Sequence, residues 1–309
     1  MVCGWVRRCG NGVVVGGCVA GMVGVAGAVI GEARGRAEIS GCQSNLRQLA
    51  EGMHVYAGES EGWFPVVPAT SARGYNVRVA GDVPGKGEAF SNNNVLAAEW
   101  LLVGQGMVKD TKIYICPSDP FAGANAGGGA AAVEDAAGKA YGCFGSGKQV
   151  SYSIRYPWAE SAEKRVVAGG WWRARQEGDA QDEPVMMDMA PYMGTKAGAG
   201  EAYPRGPAAT QAAGEALVVG GGDEGPVENS PNHVGTVAGS GENVLCLDGH
   251  VEWCGEPRMG KGGDNFWSEG VGGKEVVVEA GEIPAALAEG KGGLDMVMVP
   301  MRSAKGEVK

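Results

Sequence analysis

Only three histidines occur in the chain, His54, His233 and His250, and the motifs that usually build chemistry around such residues are missing. There is no HExxH pair, no GxSxG elbow, no Walker A loop and no dinucleotide-binding glycine fingerprint after a strand. The glycine-rich tracts lack the lysine or the following helix that a phosphate cradle needs. The eight cysteines, Cys3, Cys9, Cys18, Cys42, Cys116, Cys143, Cys246 and Cys254, form no CxxC pair, which argues against the zinc-knuckle and thioredoxin readings. There is no basic stripe either. With 26 Lys and Arg against 36 Asp and Glu, the net charge is −10, so nucleic acid has no electrostatic footprint to bind. An acidic surface favours solubility and attracts divalent cations weakly.

What the chain does have is glycine, 56 of its 309 residues, gathered largely in tracts unsuited to a packed core. Residues 122–140 and 194–231 are two such low-complexity insertions, and both read as mobile loops. The expected organisation is a leader and transmembrane segment over 1–31, a head over 32–270 carrying the two insertions, and a C-terminal extension over 271–309.

Arg7 and Arg8 precede an uncharged stretch from Val13 to Ile30. As a helix it would extend roughly 27 Å, close to the thickness of a bilayer core. The expectation is a single-pass cell-membrane protein, with the arginines cytoplasmic and the C-terminal head outside the cytoplasm. The glycines weaken the span but give GxxxG spacing at Gly17 and Gly21 and at Gly27 and Gly31. A cleaved secretory signal, a lipoprotein signal ending at Cys18 and a soluble chain are the alternatives.

Ile39, Cys42, Leu46, Leu49, Met53 and Tyr56 then recur at alternating spacings of three and four, one face of a helix with Arg47, Gln48 and Glu51 on the other. The pattern breaks at Gly58, Gly62 and Pro65. A span running into an amphipathic helix predicts one long rod whose outer part packs on a head. His54 falls off the apolar stripe and reads as a solvated helix residue. Downstream, the segments Lys148 to Trp158, Lys164 to Gln176 and Pro184 to Ala190 read as strands, with Trp171 and Trp172 as apolar cover. The segments starting at Lys274 and Leu294 read as edge or capping strands.

Asp248-Gly249 between two alternating runs predicts a two-residue type I′ hairpin. That register pairs Leu247 with His250, Cys246 with Val251, Leu245 with Glu252 and Val244 with Trp253. It buries Val244, Cys246, Val251 and Trp253 on one face and sets Cys254 opposite Asn243, which disfavours a Cys246–Cys254 bridge. The turn alone accounts for Asp248 and Gly249, with Asn232 and His233 tying down the preceding loop through hydrogen bonds to backbone. The alternative is functional: Asp188, His233, Asp248 and His250 converge on a divalent metal such as Zn, Mn or Fe, structural or water-activating. No base or nucleophile can be named beside them, so no catalytic residue and no firm cofactor is assigned. Asp119, Asp223, Glu224 and Glu228 are oxygen donors for calcium without EF-hand spacing. The expected packing also brings Cys42 within reach of Cys116 for a disulfide.

Several segments together resemble a known family. They are the run from Cys42 to Pro65, the run from Asn92 to Pro120 ending in Cys-Pro-Ser-Asp, the segment Ser151 to Trp158, the segment Glu183 to Pro191, and Asn232-His233 followed by Asn243-Val244-Leu245 and Asp248-Gly249-His250-Val251. In this order they are similar to the prepilin-type, pseudopilin-like proteins with an H-X9-DG domain, over about residues 32–120 and 148–270. The run to Cys-Pro-Ser-Asp corresponds there to a helix followed by a strand. The resemblance implies an α+β fold that is pilin-like, with a long N-terminal helix packed on a small antiparallel β-sheet head. It implies export and membrane attachment, and partners among other pilin-like subunits or secretion-system components; it implies no reaction. Two features depart from the family. Its processing site, Gly followed by Phe-Thr-Leu-x-Glu, has no counterpart before Val13, and the gap from His233 to Asp248 is longer than nine residues. The expected function is a non-enzymatic pseudopilin-like component of a secretion or cell-surface assembly; the alternative is an exported metal-dependent hydrolase or ligand-binding module.

Overall fold

The structure is a computed structural model. It describes residues 3–69, 93–119, 131–134, 140–145, 149–174, 182–189, 230–233, 241–255, 268–271, 274–277 and 298–300; side chains in the helix are described from Val29 onward.

The fold is mixed α+β. Helix α1 runs from Cys3 to Glu59 and α2 from Val95 to Gly104. The strands are β1 (Ala131–Glu134), β2 (Ala140–Cys143), β3 (Tyr152–Arg155), β4 (Trp158–Glu160), β5 (Val166–Ala168), β6 (Pro184–Asp188), β7 (Glu242–Cys246), β8 (Val251–Cys254), β9 (Ser268–Val271), β10 (Lys274–Val277) and β11 (Met298–Pro300). Five of them form one sheet in the order β11-β3-β6-β7-β8, antiparallel throughout. The remaining strands pair as three hairpins, β1-β2, β4-β5 and β9-β10. The expected edge strand near the C-terminus is thus present as β11, beside β3.

The apolar stripe of α1 does what its period predicts. Cys42, Leu46, Leu49, Ala50, Met53 and Ala57 are buried and join one core with Leu245 and Leu247. Arg47, Gln48 and Glu51 are exposed. Gly52 lets the helix come close to the segment after α2, since a Cβ there would lie 3.1 Å from a Val108 methyl. Ile39 is only half-buried. His54 is not a solvated residue: it is half-buried with its ring edge-on to Phe64, centroids 5.5 Å apart, and Phe64 in turn meets the buried Trp172 edge-on. Trp171 and Trp172 cover the core as expected, each donating its indole N–H to a backbone carbonyl, of Tyr156 and Pro65.

Four further expectations are corrected. Among the described residues no helix is long and apolar enough to cross a membrane, which overturns the single-pass span, the transmembrane assignment and the cell-membrane location. Beyond Ile30 the helix is charged, with Arg36 bonded to Glu32 and Arg34 to Glu38 on its surface, and such charges are costly in hydrocarbon, so an apolar span does not continue in that direction. The residues before Cys116 form a 3-10 turn, Thr111–Tyr114, rather than a strand, because the Asp110 carboxylate caps the Lys112 N–H and starts the turn. The insertion over 122–140 is not loop throughout, since it contributes β1 and the first residue of β2, paired as a hairpin. The insertion over 194–231 lies almost entirely outside the described residues.

The fourth correction concerns the β7-β8 register. Leu245 pairs with Val251, Val244 with Glu252, Asn243 with Trp253 and Glu242 with Cys254, one residue away from the expected alignment. The loop holds three residues, not two. The Gly249 N–H bonds to the Cys246 carbonyl at 2.9 Å, the Cys246 N–H bonds to the His250 carbonyl at 2.9 Å, and only Gly249, at φ +91°, has positive φ in the turn. This is a type I turn closed by a glycine bulge, a common three-residue hairpin. A slip of one residue moves every side chain to the other face. Asn243, Leu245, Val251 and Trp253 therefore share one face, and Val244 and Glu252 the other.

Candidate functional site

Four chemically capable side chains meet between α1 and the sheet. Cys42 is on the buried stripe of α1. Cys116 follows the 3-10 turn that Asp110 caps. Asp188 ends β6, and His233 ends a short 3-10 turn, Pro231–His233. One donor atom from each lies within 4.8 Å of all the others. All four side chains are at most 1% exposed.

Cys42 Sγ donates to Asp188 Oδ1 at 3.0 Å, and Cys116 Sγ lies 3.4 Å from His233 Nε2. His233 Nε2 is also 3.2 Å from Asp188 Oδ2. A ring of polar groups orients the carboxylate. The Asn243 backbone N–H donates to Oδ2 at 2.7 Å and its side-chain amide at 3.0 Å, while the Asn232 amide donates to Oδ1 at 3.2 Å and also to the Ser151 carbonyl at 2.9 Å. The Tyr152 hydroxyl sits 3.4 Å from Cys42 Sγ. The Trp253 ring closes over His233, with centroids 5.4 Å apart.

The electrostatics follow from burial and from this ring. Burial raises Asp188, but the His233 charge and the hydrogen bonds from His233, Cys42 and Asn243 hold its carboxyl below the usual range. Burial disfavours the His233 imidazolium, yet Asp188 and then Cys116 outweigh it and push the ring up to about 10. Cys42 is pushed well up by burial, its bond with Cys116 and the Asp188 charge. Cys116 faces the same burial, but Cys42 and the adjacent His233 bring it below the ordinary thiol value. Beside the cluster, burial and the Asp188 charge push Glu242 well above the carboxylate range.

The structure brings together two of the four expected metal ligands, Asp188 and His233. Asp248 and His250 go elsewhere. The corrected hairpin places them at the exposed turn, where His250 donates its backbone N–H to Asp248 Oδ1 at 2.9 Å and its Nδ1 meets the same oxygen at 2.5 Å. His250 lies in a separate local group with Cys246 and Glu252. Asp248 is held below the usual carboxylate range because these bonds from His250 outweigh its slight burial. Asp248 and Gly249 thus serve the turn. Asn232 ties its loop to backbone as expected, whereas His233 turns inward. Cys42 and Cys116 are close, as the disulfide expectation required, but both are free thiols in the structure. Asp119, one calcium candidate, is buried and accepts from Ser151 Oγ at 2.5 Å; Asp223, Glu224 and Glu228 lie outside the described residues. Asn243 and Tyr152 carry little signal along the chain. Their role depends on strand pairing, because Asn243 reaches Asp188 from β7 lying beside β6, and Tyr152 pairs with Asp188 across β3 and β6.

Comparisons of the chain with protein-family models, with curated proteins and with solved structures return no match.

Proposed function

We propose that the chain is a non-enzymatic, pilin-like structural subunit that assembles through its long helix. The observation that carries this reading is α1 itself. At 57 residues it is about 85 Å long, and its outer part is embedded in the core of an antiparallel sheet. A helix of this length far exceeds what the sheet can cover. Val29 and Ile30, on the part that precedes the buried stripe, are 59% and 68% exposed. Packing of such helices side by side would cover those residues and leave the heads as a decorated surface. The motif resemblance supports the same reading. The alternative, a metal-dependent hydrolase, is disfavoured by the site, because a catalytic metal needs a coordination position open to water or substrate and the four donors are sealed from solvent.

Sedimentation velocity over a range of concentrations, with negative-stain electron microscopy, tests the proposal. Reversible association or filaments are expected, and Ile30→Glu should shift the distribution towards monomer while the head keeps its circular dichroism. A chain that stays monomeric at every concentration, with Ile30→Glu indistinguishable from it, overturns the proposal.

A further inference from the structure

We propose that Cys42, Cys116, Asp188 and His233 are the four ligands of a closed structural site for a zinc-type divalent cation, which fastens α1 to the sheet. This goes beyond the structural-subunit reading and holds whether or not the chain assembles.

The donor set fits first by chemistry. Two thiols, an imidazole and a carboxylate are the ligand types that bind zinc tetrahedrally, and a closed set of four marks a structural rather than a catalytic site. It fits next by distance. With metal–ligand bonds of about 2.0–2.3 Å, the edges of a tetrahedron are roughly 3.2–3.8 Å. The observed separations are 3.2 Å for His233 Nε2 to Asp188 Oδ2, 3.4 Å for Cys116 Sγ to His233 Nε2, and 3.0 Å for Cys42 Sγ to Asp188 Oδ1. With one donor atom from each residue within 4.8 Å of all the others, small side-chain movements would close the four on an ion.

The third argument is a conflict at one atom. His233 Nε2 faces the Asp188 carboxylate at 3.2 Å, the Cys116 thiol at 3.4 Å and the Asn243 amide nitrogen at 3.1 Å. With a proton, Nε2 confronts a second donor in Asn243. With a lone pair, it confronts the lone pairs of the carboxylate. A cation among the four donors removes the second conflict, because imidazole, carboxylate and both sulfurs then all direct lone pairs at it. Binding sends the two thiol protons, and any proton on Nε2, to solvent. The resulting zinc–dithiolate–carboxylate unit carries one net negative charge, and the amide donors of Asn232 and Asn243 on Asp188 lie where they offset it. These two asparagines and Tyr152 are the outer groups that fix ligand orientation in such sites.

The ligands also tie together parts of the chain remote in sequence. Cys42 and Asp188 are 146 residues apart and Cys116 and His233 are 117 apart, so one ion would close several long loops at once.

The test uses the full chain, purified without chelator, incubated with zinc and freed of excess by gel filtration. Elemental analysis should find about one zinc per chain, and both Cys42 and Cys116 should resist alkylation until a chelator is added. Cobalt substitution should give strong visible bands of tetrahedral geometry together with thiolate-to-cobalt charge transfer. Cys116→Ser and His233→Ala should bind at least tenfold less zinc, whereas Asp248→Asn and His250→Ala should retain it. Less than a tenth of an equivalent of zinc, Cys42 and Cys116 recovered as a disulfide, or a cobalt spectrum without thiolate charge transfer would each overturn the proposal. The cobalt spectrum needs only the unmodified chain, so the test survives if the Cys116 or His233 variants fail to fold.

Discussion

The thiol of Cys42 lies 3.0 Å from the carboxylate of Asp188, with 146 residues of chain between them. This contact joins the buried face of the long helix to the end of the central strand of the sheet, and it sets how the two layers are registered. Cys42 reaches Asp188 only because Leu46 and Leu49, one and two turns further on, are fully buried beneath the same helix.

That packing is testable by truncation. Leu49→Ala leaves a cavity in a fully buried site and should lower stability by about 2–5 kcal/mol in urea unfolding. Arg47→Ala, on the exposed face of the same helix, should stay within about 0.5 kcal/mol of the unmodified chain. Equal effects from the two would mean that the helix does not lie on the sheet as described.

Asp188 holds its neighbours by accepting from four groups, the Asn243 N–H and amide, the Asn232 amide and the Cys42 thiol. Asp188→Ala strands these donors and removes the counter-charge of His233. The loss should be roughly 3–5 kcal/mol. Chemical unfolding measures it, and a loss under 1 kcal/mol would mean that these bonds are not formed in solution.

Glu99 should make stability fall as pH rises. It is fully buried on α2, one carboxylate oxygen has no partner, and its other oxygen accepts only a long bond, 3.5 Å, from the Tyr114 hydroxyl. Burial pushes its carboxyl up from 4.5 to about 8, with Tyr114 opposing weakly. Between these two values the folded chain keeps a proton that the unfolded chain releases. Its stabilising effect is complete below 4.5 and is lost as pH rises towards about 8, at no more than ~1.4 kcal/mol per pH unit. Glu99→Gln should flatten that part of the stability profile and be the more stable protein above pH 8. Parallel profiles for the two chains would contradict the buried protonated state.

Gly249 should resist substitution for conformational rather than steric reasons. A Cβ there would meet Ala50 and His54 no closer than 3.7 Å, an ordinary contact, but φ is +91°. Gly249→Ala should cost about 1–2 kcal/mol, and Gly249→Asn less, since asparagine tolerates positive φ better. Thermal unfolding of the two variants would show the order.

The sequence by itself determined the elements whose signal is local. The three-and-four spacing from Cys42 to Met53 fixes which side of α1 is buried, because a helix repeats its faces whatever it packs on. The apolar run Pro184 to Asp188 reads as a short buried strand, and Asp248-Gly249 between two alternating runs reads as a turn. What the tertiary structure decided was the register of that turn and the company the polar residues keep. One more residue in the loop paired Trp253 with Asn243 rather than Val244, left His250 with Asp248 at the surface, and so separated two expected ligands from Asp188 and His233. Cys42 and Cys116 took their places because a helix and a capped turn, far apart in sequence, were brought against the same strand end. Spacing along a chain encodes only neighbours within one element, whereas a four-sided cage is closed by elements whose distances are set by packing.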